Sequence, residues 1–418
     1  MTPLQIATMI SQIITVIITL CFAYQVIYLF IPLLIRPRKH KGQLKMNRYA
    51  VLIAARNEEK VLPHLLHSIA LQNYPAELIS TFVVADNCTD GTAQVAAQAG
   101  ATVFSRSDKK HIGKGRALQY LLEQLKASGR YEEFDAFLVF DADNVLDANY
   151  ITNMNRTCCD GYEAFCGYRN SKNFGSNWIS IGHAMWYLHD CVQLNLSRHL
   201  LGISCSVTGT GFGFTRRVLD QRGGWKFFAL TEDIEFSFWC ALNRIRIGYC
   251  NDAILYDEQP ESLRFSFRQR VRWVQGTMQI SVRYFGKLLR GLFLGGRFGY
   301  VCLENLTLTI WGYLLCALHG ITATVLSILN LGLGITAILT GCLTLLAFLY
   351  LVLTAGLILI TQKDRIRATK AQRFRALFLY PVYVISFLPI FFMALFSKFD
   401  WPPIEHTVAV SAEELSCK

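Results

Sequence analysis

The 418 residues predict an α/β domain built on a mainly parallel sheet flanked by helices, joined to four transmembrane helices. Three observations carry that expectation. Residues 46–280 alternate short β-rich runs with stretches of helical periodicity. Long apolar runs lie outside that region, one before it and three after, and raise the hydrophobic fraction to 52%. The strongest β-rich runs each end in polar residues, as strands do when a crevice lies at their carboxyl ends.

The first apolar run, Ile6 to Ile35, is uncharged and long enough for one span, and no charged leader precedes it. Arg36, Arg38, Lys39, Lys41 and Lys45 follow it, which places that end in the cytosol. Further spans are predicted over 301–328, 331–361 and 376–397. The joint between the last two carries Lys363, Arg365, Arg367, Lys370, Arg373 and Arg375, so it too is expected inside. The organisation predicted is an N-terminal span (1–40), a cytosolic domain (41–280), an interfacial amphipathic segment (281–300), three spans (301–400) and an external tail (401–418). This is a multi-pass protein of the cell membrane, with the lipid bilayer as a partner. The formal net charge of +11 favours anionic partners, and beside apolar spans lipid headgroups fit better than nucleic acid. The 13 cysteines contain no CxxC pair, so neither a zinc site nor a redox motif is indicated.

Within the domain, Tyr49–Ala54, Thr81–Ala85, Ala101–Phe104 and Ala136–Phe140 read as strands. Glu59–Leu71, Thr92–Ala99 and Gly115–Leu125 read as the helices between them. Three strand ends run into polar residues: Arg56-Asn57-Glu58, Asp86-Asn87 and Asp141-Ala142-Asp143. Such residues also start turns and cap helices, but three tips together point to one crevice. Two carboxylates spaced as in Asp141-x-Asp143 can hold a divalent cation against a diphosphate. Gly113-Lys114-Gly115 is not a phosphate-binding loop of the Walker type, because no Ser or Thr follows Lys114. In Thr231-Glu232-Asp233 a carboxylate can act as general base or simply cap the following helix. Gln269, Arg272 and Trp273 share one helical face, where Arg suits a phosphate and Trp a sugar ring. The neighbouring Arg264, Arg268 and Arg270 read as a basic surface meeting lipid phosphates, as do Arg283, Lys287, Arg290 and Arg297 around Phe285, Leu288, Leu289 and Leu292.

With these motifs in order, the chain resembles the membrane-bound family 2 glycosyltransferases of GT-A fold. These are the cellulose, chitin, hyaluronan and poly-N-acetylglucosamine synthases, with ceramide glucosyltransferase-like enzymes. The resemblance implies inverting transfer from a UDP-sugar with Mg2+ or Mn2+, onto a growing β-linked polysaccharide or, alternatively, a membrane lipid of diacylglycerol or ceramide type. It implies donor binding by Arg56, Asn57, Glu58, Asp86, Lys114, Asp141, Asp143, Gln269 and Arg272, with Asp141 and Asp143 on the metal. Asp233 matches the catalytic base. Gly209, Thr210, Glu232 and Trp273 fall on the acceptor side. Two features depart from the large polymer synthases: only three spans follow the domain, and Gly211 replaces a polar residue in the acceptor loop. A transporter or non-catalytic scaffold would be a different class. Transport calls for polar groups in mid-span, and His319 is the sole candidate there.

Overall fold

The computed structural model describes residues 3–36, 44–307, 319–322, 325–326, 335–397, 408 and 410–416. Its centre is one eight-stranded sheet: β1 (Tyr49–Ala55), β2 (Ile79–Asp86), β3 (Thr102–Arg106), β4 (Ala136–Asp141), β5 (Val145–Leu146), β6 (Ala164–Ser171), β7 (Phe212–Thr215) and β8 (Ile247–Asp257). The spatial order is β3-β2-β1-β4-β7-β6-β8-β5. The first four strands are parallel, as the βαβ alternation predicts. The second half is not: β7 runs antiparallel to both β4 and β6, and β5 antiparallel to β8. The sheet is therefore mixed. The short β7, only Phe212–Thr215, lies between glycine turns and a helix, and its four residues are too few for periodicity to reveal.

Every residue of β1 but one is fully buried, which is why Tyr49–Ala55 reads as a continuous apolar run rather than an alternating one. Its side chains still alternate. Ala50 and Leu52 join the core on one face with Phe82, Phe137 and Val139, under the helix Lys114–Ala127 and the helix Glu232–Leu242. Tyr49, Val51 and Ile53 join the core on the other, under Leu62–Ala70 and Tyr150–Cys159.

The register fixes what lies at the crevice. Ala54 stands opposite Asp141 and Ala55 opposite Ala85, so the tips carrying Arg56, Asp86 and Asp141 fall along one edge. Since β7 pairs Phe212 with Val139 in the opposite sense, the turn before it, residues 208–211, reaches the same edge.

Among the described residues, three helices are long and apolar enough to cross a membrane: Gln5–Leu34, Thr344–Thr361 and Lys370–Phe396. Most of the span expected over 301–328 lies outside the described residues. Its first residues belong to the helix Gly296–Thr307, which meets the N-terminal helix through Tyr28 and Tyr300, hydroxyls 3.1 Å apart. His319 Nε2 lies 3.0 Å from Thr15 Oγ1, a partner that accounts for this histidine without a transport role.

The last apolar helix departs from expectation. It begins at Lys370, so Lys370, Arg373 and Arg375 form its first turns rather than a loop. It lies along the α/β domain over its whole length. Gln372 Nε2 donates to Gly175 O at 2.9 Å, Arg270 Nη1 to Ser386 Oγ at 2.5 Å, and Gln275 Nε2 to Ser397 O at 3.0 Å. Its outer face carries Phe374, Phe378, Val382, Ile385, Leu388, Phe392 and Phe396, all exposed. Arg270 is thus no membrane-surface residue. It is buried, with its guanidinium 4.6 Å from the centre of the Tyr383 ring. Arg283, also read as interfacial, bonds Glu235 Oε1 at 2.9 Å.

The described tail residues pack on the α/β domain. His67 Nε2 meets Glu413 Oε1 at 2.7 Å, Val408 N donates to Glu258 Oε2 at 3.0 Å, and Ala412 and Leu415 cover Val145. An external tail beside a cytosolic domain does not survive these contacts. The tail's scarcity of Lys and Arg misled the assignment, because its acidic residues carry little orientation signal. Single cysteines at positions 370 and 411, in a cysteine-free background, should therefore react with an impermeant reagent together or not at all. Labelling of one but not the other from outside intact cells would contradict the fold.

Candidate active site

The crevice is organised around residues 208–210. Gly209 adopts φ 77°, a backbone state that favours glycine. This turn directs the Gly209 N–H to Asp233 Oδ2 at 2.5 Å and its carbonyl to Lys114 Nζ at 2.7 Å. Next to it, Thr210 Oγ1 accepts from the Asp141 N–H at 2.8 Å and donates to Asn144 Oδ1 at 2.5 Å. Asn144 Nδ2 then donates to Asp257 Oδ1 at 3.0 Å. Gly209 and Thr210, expected on the acceptor side, thus act first as the clamp that joins the other groups.

Asp141 and Lys114 meet at the centre, Nζ 2.5 Å from Oδ1. Lys114 is positioned because it opens the helix Lys114–Ala127, and Gly115 lets that helix touch the chain: a Cβ there would meet Phe227 O at 2.1 Å. Burial opposes the charged ammonium, but Asp141 and Glu232 outweigh it and hold its pKa above the ordinary value. The Asp141 side chain keeps 34% of its surface exposed, while Asp143 is buried. Among the described residues no group of three or more His, Cys, Asp or Glu is placed to hold a metal. Two hard oxygen donors on one tip still suit a cation that completes its shell from a substrate diphosphate.

Asp233 is the second residue of the helix Glu232–Leu242 and is not its cap, a place taken by Thr231. Desolvation by burial raises its pKa, while the Gly209 and Ile234 N–H groups favour the anion. Glu232 is buried beside it and turns toward Lys114, 3.9 Å away. Burial pushes Glu232 up to about 8, Lys114 opposing and Asp233 adding repulsion.

The first two tips hold the predicted donor residues. Asn57 and Asn87 have φ of 60° and 55°, which asparagine tolerates better than most residues. Asn57 Oδ1 accepts the Thr89 N–H at 2.8 Å, and the Glu58 N–H donates to Thr92 Oγ1 at 2.8 Å, so both brace the loop. Asp86 accepts from Arg106 Nη1 at 2.6 Å. Burial raises the Asp86 pKa, and Arg106 and Arg56 oppose that rise. Arg56 Nε and Nη1 are buried with no hydrogen-bond partner among the described residues. Orphaned guanidinium donors beside this crevice suit an anionic ligand.

Gln269, Arg272 and Trp273 lie on the helix Leu263–Gly291, which Gly276 brings close to Thr231. Trp273 packs edge-on to Tyr187, ring centres 5.8 Å apart, and the Arg169 guanidinium sits 3.6 Å from the centre of the Tyr187 ring. Arg169 forms a buried ion pair with Asp257. The aromatic motif is thereby linked to the carboxylates at the strand ends. Sequence reading passed over Arg106, Arg169, Tyr187 and Asp257, which occur in no motif. Burial pushes the Asp257 carboxyl up to about 7 despite Arg169, with Asp143 and Asp141 adding repulsion.

The Glu232 carboxyl has a stability consequence. Its folded-state pKa lies above its ordinary value, so folding favours the protonated form. That preference is present at low pH and is lost as pH rises toward about 8. Glu232→Gln cannot ionise. Its melting temperature relative to the parent should therefore climb between pH 5 and pH 8. A difference that stays flat over that range would show Glu232 to be ionised in the folded state as readily as in the unfolded one.

Comparison with known proteins bears on the family and the fold. A family model described as glycosyltransferase like family 2 matches residues 47–276. Probable glycosyltransferase YdaM of Bacillus subtilis is 23% identical over 273 residues, 61% of each chain. A beta-monoglucosyldiacylglycerol synthase of Nostoc is 24% identical over 266 residues, 61% of this chain and 54% of the relative, so the chain spans little more than half the length of such relatives. Over a shorter stretch, 26% of this chain and 28% of the relative, a 4,4'-diaponeurosporenoate glycosyltransferase of Staphylococcus aureus is 39% identical. Among solved structures, a mannosyltransferase of Pyrobaculum calidifontis in complex with GDP-Man and Mn2+ superposes with TM-score 0.59 at 15% identity, covering 91% of this chain and 98% of that one, which shows a shared fold. With more than half its length matched to the family model, the chain belongs to the family 2 glycosyltransferases.

Proposed function

We propose that the protein transfers a sugar from a nucleotide sugar to a hydroxyl of an acceptor held at a membrane, with inversion at the anomeric carbon. The observation that carries this reading is the Gly209 clamp. One residue holds the carboxylate of Asp233 through its N–H and the ammonium of Lys114 through its carbonyl. A proton acceptor and a cation for a leaving diphosphate are thus fixed to the two peptide groups that flank one α-carbon.

In this mechanism the donor's anionic part lies against Lys114, Arg56 and Arg272. Asp141 and Asp143 would hold a divalent cation, which when bound supplies charge neutralisation for the diphosphate. Asp233 takes the proton of the acceptor hydroxyl as its oxygen bonds to the anomeric carbon. The bond from that carbon to the diphosphate oxygen breaks, and its electron pair leaves with the nucleotide. Trp273, braced by Tyr187, offers a ring face to the acceptor.

A lipid-anchored acceptor is the reading we favour. The helix Lys370–Phe396 lies along the helices Trp178–Leu188 and Leu263–Gly291 with its apolar side outward, as a helix in the membrane plane would. Val282, Phe285, Leu289 and Phe293 are exposed as well. The crevice then opens at the level of lipid headgroups. Relatives whose names carry diacylglycerol and diaponeurosporenoate support the same direction. Elongation of a polysaccharide is the second reading, favoured by Gln269-x-x-Arg272-Trp273. A multi-pass arrangement with the α/β domain in the cytosol completes the proposal.

Asp233→Asn should lower transfer by about 10²–10⁴-fold while the donor still binds. Chelation should abolish transfer, and Mg2+ or Mn2+ should restore it. Nucleotide release and product should be followed together with a panel of nucleotide sugars. Full transfer by Asp233→Asn would remove the base from the mechanism, and full activity in chelator would remove the metal.

A further inference from the structure

We infer that Asp190 forms an acceptor subsite next to the base, and that the acceptor it selects presents at least two hydroxyls: a sugar or polyol headgroup rather than a lone alcohol. This rests on Asp233 being the base and goes on to name the chemical class of acceptor.

Residues His189–Asn195 form a π-helix between the helices Trp178–Leu188 and Leu196–Leu200. Such wide turns have poorer hydrogen-bond geometry than the α-helix, and they recur at functional sites. This one carries Asp190 to the 208–210 turn. Asp190 Oδ2 accepts from Thr208 Oγ1 at 3.2 Å and from Asn195 Nδ2 at 3.2 Å. Oδ1 makes no hydrogen bond among the described residues, and Asp190 keeps part of its surface exposed although it lies deep in the domain. Burial pushes its carboxyl up to about 6, with Arg198 and Thr208 opposing.

Asp190 could instead serve as a counter-ion for Arg198. Arg198 Nε, however, already meets both oxygens of Glu304, at 3.2 and 3.1 Å, and no ion pair joins Arg198 to Asp190 among the described residues. Arg169, the other nearby cation, is paired with Asp257 and donates to Thr208 O at 3.0 Å.

Asp190 and Asp233 are therefore tied to consecutive residues, the first to the Thr208 side chain and the second to the Gly209 N–H. With successive Cα atoms about 3.8 Å apart, the two carboxylates lie within about 10 Å of each other, a spacing that hydroxyls of one sugar ring can bridge. When one hydroxyl gives its proton to Asp233, a neighbouring hydroxyl can donate to Asp190, which fixes the ring and takes no proton itself. A buried group that expects a hydroxyl discriminates strongly against acceptors lacking it.

The test uses the full chain in nanodiscs, with the nucleotide sugar it accepts. Three acceptors are compared: an alkyl β-glucoside, a monoacylglycerol with two neighbouring hydroxyls, and a diacylglycerol with one. The unaltered protein should show kcat/KM at least about 10-fold higher for the first two. Asp190→Asn should raise their acceptor KM by about 10-fold or more, change kcat and donor KM little, and erase the preference over diacylglycerol. Thr208→Val, which removes the tethering hydroxyl, should shift acceptor KM in the same direction and serves if Asp190→Asn fails to fold. Equal use of all three acceptors by the unaltered protein, or equal losses on all three in the variants, would overturn the subsite. Asp233→Asn separates the two readings. If it abolishes transfer while Asp190→Asn leaves the polyol KM unchanged, only the subsite falls. If it retains transfer, the base reading falls first.

Discussion

The constraint on which the site depends is the turn at residues 208–210. Three polar side chains, Lys114, Asn144 and Asp233, and the backbone N–H of Asp141 all bond to Gly209 or Thr210. Each is buried or half-buried, and each would be costly to leave unpaired. The positive φ of Gly209 turns its N–H and carbonyl toward groups of opposite charge. Gly211, two residues on, has φ 65°, and a Cβ there would meet Leu255 Cδ2 at 1.9 Å, so only glycine fits at this position. The backbone conformation of three residues thus sets the distances among the groups that carry the chemistry.

The sheet supports that turn. Parallel pairing of β2, β1 and β4 brings three polar tips to one edge, and the antiparallel β7 delivers the turn beside the third. A fully parallel sheet would have sent the 208–211 segment to the opposite edge. The mixed topology is therefore a requirement of the site. On the far side, the helix Leu263–Gly291 joins the domain to the apolar helix Lys370–Phe396 through buried Arg270, whose charge is satisfied by Ser386 and by the rings of Tyr383 and Phe387.

Much of this was legible in the sequence. The four parallel strands and their helices follow from long apolar runs and periodicity, and the strand-end residues were placed correctly because a parallel strand has only one carboxyl end. Other features were not legible, for identifiable reasons. Arg270 sits among Arg264, Arg268 and Arg272, and nothing local shows that its helical face meets Ser386, 116 residues away. Asp257 ends β8 with no motif around it, and its importance comes from pairing with Arg169 across the sheet. Asp190 is carried to the site by a π-helix, which no 3.6-residue periodicity reveals. The tail's docking rests on single contacts such as His67 to Glu413, which leave no compositional trace.

The account stands on the position of a donor relative to the Gly209 clamp. An experimental structure of the full chain with an unhydrolysable nucleotide sugar and Mn2+ addresses this most directly. The account predicts the diphosphate against Lys114 and the Asp141-Ala142-Asp143 tip, with the anomeric carbon between it and Asp233. A diphosphate bound away from Lys114, or an anomeric carbon screened from Asp233 by protein, would contradict it.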